Sequence, residues 1–166
     1  CMESLKRAQS TALGRVWLVD DCSDSETADW LASQQDEQVR YLRTPDNVGF
    51  TRAAALGFGH STAKLVVVLN SDTVVGEGWL AALAHPFNHR DSVAMTGPLS
   101  NAAAWQSLGR ITNAQGLFAT NALPGGADVA ALNQFLHAQA EHGFVDLPLV
   151  HGFCFMISRA DYDAVG

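Results

Sequence analysis

The sequence predicts an α/β fold with a mostly parallel sheet that carries helices on both faces, and two features support this prediction. The first is the unbroken apolar run Leu65–Leu69, which is bounded by polar residues, as expected for a strand buried on both faces of a parallel sheet. The second is a steady alternation of helical and strand patterns, without repeats or low-complexity linkers. Such alternation is typical of parallel strands joined through helices.

The elements of the first half follow from local patterns. Apolar residues at helical spacing mark the helices, short apolar or β-branched runs mark the strands, and glycine or polar turns separate them. The predicted elements are a helix at Met2–Leu13, a strand at Arg15–Val19, a helix at Ser25–Gln34, a strand at Gln38–Arg43, a helix near Thr51–Gly59 and the strand Leu65–Leu69.

The second half has a weaker pattern. The stretch Ala102–Ala127 shows no period and is predicted to be a long loop, and loops of that length often serve as functional lids. The other predicted elements are a helix at Glu77–His85, a strand at Ser92–Thr96, a helix at Val129–His142, strands at Phe144–Leu149 and Gly152–Ser158, and a helix at Arg159–Val165.

The composition indicates one globular domain and excludes several classes of function. The chain has 166 residues, of which 48% are hydrophobic, so it can bury a sizeable core. The formal net charge of -7, from 10 Lys+Arg against 17 Asp+Glu, argues against a nucleic-acid partner. No apolar run approaches the roughly 18 residues of a membrane span. We therefore expect a soluble chain.

The cysteines favour a reducing compartment. Cys1, Cys22 and Cys154 are isolated, form no CxxC pair and are odd in number. We therefore expect a cytoplasmic location. Cys22 has acidic neighbours that disfavour a thiolate, so we expect it to take no part in catalysis.

Polar residues follow three of the predicted strands, and these residues are the first candidates for a site. They are Asp20, Asp21, Asn47, Gly49 and Asp72. Since the carboxyl ends of parallel strands meet at the edge of the sheet where ligands bind, we expect these side chains to converge. Asp72 has an alternative role as the N-cap of the helix predicted near Glu77, and the sequence leaves both roles open.

Five motifs, in this order, resemble the family 2 glycosyltransferases with the GT-A fold. They are VDDCSD, NVGFTRAAALG, VVVLNSD, GPLSN and HGFCFMISR, and they span about Val16 to Arg159. The resemblance implies a GT-A-like (Rossmann-like) fold and an enzyme that transfers a sugar, with inversion, from a nucleotide-diphosphate sugar to an acceptor hydroxyl. The implied donor is a UDP-, GDP- or dTDP-sugar, and the implied acceptor is a saccharide, a lipid-linked molecule or a protein.

On the donor side, the resemblance implies that Asp20 and Asp21 contact the nucleotide base. The other residues that it places in the nucleotide pocket are Asn47, Gly49, Phe50 and Arg52. Arg52 offers a fixed positive charge or a bidentate contact for phosphate, and a helix-surface arginine is the alternative interpretation. Gly49 permits close backbone approach to a ligand, and a helix-entry turn explains it as well.

The resemblance also implies a metal and an acceptor side. The triplet Asn70-Ser71-Asp72 would hold Mg²⁺ or Mn²⁺ on the diphosphate, with Asp72 as the metal ligand, and Asn70 makes a weaker site than a second Asp would. The residues assigned to the acceptor or sugar side are Ser100, Asn101, Trp105 and His151. A structural or surface role for His151 and a core-covering role for Trp105 remain open.

The sequence also departs from the family pattern. Members usually begin with a strand carrying an IPVYN-like segment and continue to an acidic pair that contains the catalytic base. Neither is found here, so we expect a piece of a longer protein, incomplete at both ends and without an identifiable base. Within it we expect a nucleotide-sugar-binding half over about 1–96 and an acceptor-side half over about 97–166. We also expect association with an adjacent domain or a second copy, and membrane contact only through parts outside this chain.

Two other functions are alternatives to sugar transfer. A nucleotide-sugar pyrophosphorylase would open with a glycine-rich, basic phosphate loop, and this chain lacks one. An NTPase is disfavoured as well, because the sequence contains no GxxxxGK[ST] motif. A non-catalytic GT-A-like module, kept for nucleotide-sugar binding or as a scaffold, is the alternative that Asn70 and the missing base favour.

Overall fold

The computed structural model describes residues 1–8, 13–139 and 143–165. Its helices and strands are α1 (Met2–Arg7), β1 (Val16–Asp20), α2 (Ser25–Ser33), β2 (Val39–Arg43), α3 (Phe50–His60), β3 (Leu65–Leu69), α4 (Trp79–His89), β4 (Met95–Thr96), α5 (Val129–Gln139), β5 (Cys154–Ser158) and α6 (Arg159–Val165). The predicted long loop contains two short 3₁₀ turns, Ala104–Gln106 and Pro124–Gly126. These elements confirm the predicted α/β class.

The chain divides into two compact units. One is Thr11–Val66, and the other combines Cys1–Ser10 with Val67–Gly166. The predicted division into a donor half and an acceptor half stays a prediction.

In the unit Thr11–Val66, β1 and β2 form a parallel pair, and their register places Asp20 opposite Arg43. α2 and α3 pack against β1. A Cβ atom at Gly57 of α3 would lie 3.2 Å from Cγ2 of Val19, so this glycine allows the helix to approach the strand closely. Because β1 and β2 are parallel and end opposite each other, the loops that follow the two strands begin side by side.

A three-stranded sheet has the order β3-β5-β4, with β4 and β5 antiparallel. β4, β5 and all of β3 except Leu65 and Val66 belong to the other unit. The central strand β5 carries the buried side chains of Cys154, Met156 and Ile157. α4 packs against β4 and β5 and buries Leu80 and Leu83. The core of this unit therefore lies between α4 and β5.

Strand β3 is less buried than predicted. Its five residues, Leu65–Leu69, are all half-buried, so the prediction of a strand buried on both faces is wrong. In the described part of the chain β3 is the edge strand of its sheet, and edge strands have less cover than central ones. The strand that is buried is β5.

The predicted strand Phe144–Leu149 is also wrong, because the structure has no strand there. Pro148 has no N–H to donate to a neighbouring strand, and Leu149 is 71% exposed. The segment is instead tied to the end of α4, where Arg90 donates from Nη1 to Oδ1 of Asp146 at 2.6 Å.

Helix boundaries differ from the prediction at a few places. α4 begins at Trp79 and not at Glu77, because Gly78 has a φ of +73°, which is incompatible with a helical residue. α1 is shorter than predicted. Residues 9–12 and 140–142, over which two of the predicted helices extend, lie outside the described residues.

The structure also bears on the expectations drawn from composition. No helix in the described ranges is long and apolar enough to cross a membrane. Cys1, Cys22 and Cys154 are free thiols, and burial raises the pKa of Cys154 to about 12. Cys154 is therefore a protonated core residue.

Candidate functional site

Asp20, at the end of β1, is the centre of a buried polar network. It is 2% exposed. Its Oδ1 accepts the Ser23 N–H at 2.8 Å, and its Oδ2 accepts the Tyr41 hydroxyl at 2.6 Å and forms an ion pair with Arg43. Arg43 also donates from Nη2 to the Ser23 carbonyl at 2.7 Å. The network therefore ties the loop after β1 to β2.

Opposing effects set the pKa of Asp20. Burial has the largest effect and by itself raises the pKa. The hydrogen bonds from Tyr41 and Ser23 and the charge of Arg43 act in the opposite direction, and together they lower the pKa from its ordinary value of 3.8 to about 2. The folded state therefore stabilises the ionised carboxylate.

Acid is expected to remove the stability that ionised Asp20 contributes. Because the pKa is lower in the folded chain than the ordinary 3.8, the contribution is complete well above that value and is lost as the pH falls towards about 2. The difference corresponds to about 2 kcal/mol of unfolding free energy. Urea unfolding followed by circular dichroism, between about pH 5 and about pH 2, measures it.

Asp20→Asn serves as the control, because it has no titrating carboxyl group at this position. The variant should lose less stability than the wild type over the same pH range. The lowered pKa of Asp21 accounts for part of the pH dependence that the variant retains. A pH dependence equal to that of the wild-type chain would show that Asp20 is not the group responsible.

Asp21 holds the turn after β2 against the end of β1. Its Oδ1 accepts the Val48 N–H at 2.8 Å and the Thr44 hydroxyl at 3.0 Å, and its Oδ2 accepts the Gly49 N–H at 2.8 Å. The Asn47 amide donates to the Asp21 carbonyl at 3.3 Å. The hydrogen bond from Val48 is the largest influence, and with those from Gly49 and Thr44 it lowers the pKa of Asp21 against the effect of burial.

The start of α3 is open to a ligand. Gly49 is its N-cap, has a φ of +81° and provides no side-chain cap, so the first N–H groups of the helix lack intrahelical partners. Phe50 is 54% exposed, and Arg52 is exposed, with no partner in the described part of the chain. α2 differs, because the Asp24 side chain caps it by accepting the Thr27 N–H at 2.8 Å. The Asp21 carboxylate already accepts the Val48 and Gly49 N–H groups. The N–H groups of the first turn of α3, the helix dipole and the Arg52 guanidinium are what remains to favour a further anion here.

The triplet Asn70-Ser71-Asp72 forms a turn directly after β3. The Asn70 N–H donates to the Phe153 carbonyl at 2.8 Å, and the Thr73 N–H donates to the Asn70 carbonyl at 3.3 Å. Asp72 is exposed and has no hydrogen-bond or ion-pair partner among the described residues. The N-cap alternative for Asp72 is wrong, since the N-cap of α4 is Gly78.

This turn presents oxygen donors from three neighbouring side chains, Asn70, Ser71 and Asp72. Within the described ranges no group of three or more His, Cys, Asp and Glu residues is arranged to hold a metal. The triplet offers one carboxylate, one amide oxygen and one hydroxyl, which are donors of the type that Mg²⁺ and Mn²⁺ prefer. Such a set fits a cation that takes its other ligands from a diphosphate and water.

On the predicted acceptor side, Gln106 connects the segments that carry the predicted residues. Its side chain is fully buried. Its Nε2 donates to the Pro98 carbonyl at 2.7 Å, and its Oε1 accepts the His151 N–H at 2.5 Å. Its own carbonyl accepts the Ser100 N–H at 2.9 Å. Trp105, its neighbour in the chain, is 60% exposed.

Asn101 and His151 have partners of their own. Asn101 is paired with Asn121, whose N–H donates to the Asn101 carbonyl at 2.9 Å and whose carbonyl accepts the Asn101 amide at 3.3 Å. The exposed ring of His151 accepts the Phe153 N–H at Nδ1 over 3.4 Å and lies near the Phe153 ring. Asn101 therefore shapes the loop, whereas Nε2 of His151 has no hydrogen-bond partner among the described residues.

The structure brings several of the predicted site residues together. Asp20, Asp21, Asn47 and Gly49 lie in one cluster of the unit Thr11–Val66. Asp72 belongs to the other unit, and its convergence with them stays a prediction.

Sequence reasoning missed four residues that organise these clusters: Tyr41, Arg43, Thr44 and Gln106. For Tyr41 and Arg43 a signal was present, because residues two apart on a strand point to the same face, and both lie on β2, the strand that pairs with β1. For Gln106, in a loop without periodicity, no sequence signal marked burial.

Together these clusters show an α/β chain with polar, hydrogen-bonded loops after its strands. A sequence profile described as Glycosyl transferase family 2 matches residues 1–166. The chain therefore belongs to glycosyl transferase family 2.

A curated protein gives a more distant comparison. Over 99 residues the chain is 30% identical to the "Probable N-acetylgalactosaminyltransferase 7" of Caenorhabditis elegans. The match covers 57% of this chain and 16% of that protein. The chain therefore corresponds to a small part of the relative's length.

Proposed function

We propose that the chain provides the donor-binding and acceptor-side regions of an inverting glycosyltransferase. The enzyme would transfer a sugar from a nucleotide-diphosphate sugar to an acceptor hydroxyl. Family membership supports the reaction class, and the observation that carries the proposal is the Asp21-clamped turn at the open start of α3. The name of the relative suggests an N-acetylhexosamine as one sugar to test, within the broader class of hexosyl donors.

On the donor side, the turn Asn47–Gly49, Phe50 and Arg52 would surround the nucleotide. The uncapped N–H groups of α3 and the Arg52 guanidinium suit the diphosphate, because both present positive charge to an anion. Asp21 would contact the base only with the lone pairs that its internal hydrogen bonds leave free. Asp20 is too buried for direct contact as the structure stands, and it would act by fixing the loop between β1 and α2.

Asp72, with Asn70 and Ser71, would hold Mg²⁺ or Mn²⁺ on the diphosphate. The cation, when bound, neutralises charge on the departing diphosphate. Asp72 is suited to this role because its exposed carboxylate has no partner among the described residues. The acceptor side would use Ser100, Asn101, Trp105 and His151, with Trp105 as a flat surface for a sugar ring.

Calorimetric titration with UDP, and separately with GDP, in Mn²⁺ and then in EDTA tests the proposal. We expect one nucleotide to bind in the presence of Mn²⁺ and to bind far more weakly in EDTA. Asp72→Ala should weaken binding in Mn²⁺ by about tenfold or more, which equals about 1.4 kcal/mol. Asp91→Ala, which removes another exposed carboxylate of the same unit, is the matched control and should bind as the wild type does.

Three results would count against the proposal: no binding of either nucleotide, binding unaffected by EDTA, or equal effects of the two substitutions. The alternative function, a non-catalytic module that binds nucleotide sugars, is favoured by the amide at Asn70 where a second acid would make a stronger metal site. That alternative would be supported if the protein bound nucleotide in a metal-dependent way but did not cleave a nucleotide-sugar donor to free nucleotide.

A further inference from the structure

We infer that Gln106 is the positioning residue of the acceptor side. It fixes the segment Pro98–Asn101, the exposed Trp105 and the main chain of His151 relative to one another. This inference rests on the proposed function, because it takes these residues to face the acceptor.

Three hydrogen bonds join Gln106 to these segments, two to the segment Pro98–Asn101 and one to His151. The side-chain amide donates to Pro98 at 2.7 Å and accepts from His151 at 2.5 Å, and the main-chain carbonyl accepts from Ser100 at 2.9 Å. All three partners are main-chain groups outside the helices and strands. Gln106 therefore satisfies main-chain groups of these loops that have no partner in a helix or a sheet.

The packing around Gln106 leaves it little freedom. A Cβ atom at Gly97 would lie 2.6 Å from Nε2 of Gln106, so only glycine at 97 leaves room for the amide as it lies. Ala104, at the start of the same 3₁₀ turn, has a φ of +46°, a conformation that L-residues rarely adopt. This strained turn buries Gln106 while it leaves Trp105 exposed, and such strain persists only where surrounding contacts impose it.

The chemistry of the amide is specific to this position. Each end of the side chain meets a partner of opposite character, a carbonyl at Nε2 and an N–H at Oε1. A buried polar group without a partner is costly, so an apolar side chain of equal length would leave two main-chain groups unpaired. A carboxylate would keep the acceptor and lose the donor.

Two variants of similar length separate these contributions. Gln106→Met removes donor and acceptor, and Gln106→Glu restores both only when its carboxyl group is protonated. We expect the His151 amide of Gln106→Met to exchange its hydrogen about fivefold faster or more, the factor for one lost hydrogen bond of typical strength. The Trp105 indole resonance, assigned with Trp105→Phe, should move, while the affinity for UDP with Mn²⁺ stays within about twofold.

The pH dependence of Gln106→Glu distinguishes positioning from general destabilisation. At low pH the variant should match the wild type in the His151 exchange rate and the Trp105 resonance, and it should depart from the wild type as the carboxyl group ionises. Gln106 accepts the main-chain N–H of His151, so the wild-type chain measured at each pH is the control for any pH dependence that does not come from residue 106. Burial is expected to raise the pKa of the introduced carboxyl group, which brings the change into an accessible range.

The outcomes are separable from those of the proposed function. If both variants leave the His151 amide and the Trp105 resonance at their wild-type values at every pH, the inference is overturned, whether or not UDP binds. If Gln106→Met does not fold, Gln106→Glu decides by its pH dependence alone. Failure of UDP to bind the wild-type chain counts against the proposed function, and these ligand-free measurements still decide the role of Gln106.

Discussion

Replacement of Asp20 by Asn is expected to lower the free energy of unfolding by about 3 kcal/mol, since removing one partner of a buried ion pair is strongly destabilising. The carboxylate accepts hydrogen bonds from Ser23 and Tyr41 and pairs with Arg43. A neutral amide can satisfy some of these donors, but it leaves the guanidinium without its countercharge. The estimate lies at the low end of the range for buried pairs because the Arg43 side chain is 35% exposed.

Asp24→Asn is the matched control for this prediction. The chemical change is the same and the position is four residues away, but Asp24 is an exposed N-cap and Asn is an equally good N-cap residue. We expect its unfolding free energy to stay within about 0.5 kcal/mol of the wild type. Urea denaturation of both variants measures the difference, and equal stabilities would show that the Asp20 network contributes little.

Most helices and strands could be predicted from regular local patterns in the sequence. The helix at Ser25–Ser33 and the strands at Val39–Arg43 and Leu65–Leu69 were predicted to within a residue or two, because periodicity and capping residues act locally. Burial of β3 was not predictable, since an apolar run does not reveal whether a strand is central or at an edge. The apolar segment 144–149 failed as a strand because Pro148 cannot donate to a neighbour.

The candidate site was predictable in its location but not in its contacts. Acids at strand ends are visible in the sequence, so the position of Asp20 and Asp21 at the end of β1 was predicted, and their contact with a nucleotide stays a prediction. Their internal partners were not, because the bonds from Tyr41 and Val48 depend on the register of two strands and the path of a turn. Both acids use most of their hydrogen-bonding capacity within the protein, so much of their role is to shape the site.

Gly97→Ala is expected to lower the free energy of unfolding by about 2–3 kcal/mol, a cost typical of overpacking. The new Cβ atom would lie 2.4 Å from Cγ1 of Val150 and 2.6 Å from Nε2 of Gln106. Val150 is β-branched, so it can yield only by a change of χ1 rotamer, and Gln106 can move only by releasing its hydrogen bonds. Gly152→Ala is the control, because a Cβ atom there meets nothing within 4 Å.

The same substitution tests whether Gly97 and Gln106 act as one unit. Gln106→Ala removes the amide that the new methyl group would strike, so Gly97→Ala should cost less in that background than in the wild type. Thermodynamic coupling of this kind is expected for residues in contact. If urea denaturation shows that the losses in unfolding free energy of the single variants add up to that of the double variant, the two positions are independent. Glycine would then be needed at position 97 only to avoid contact with Val150.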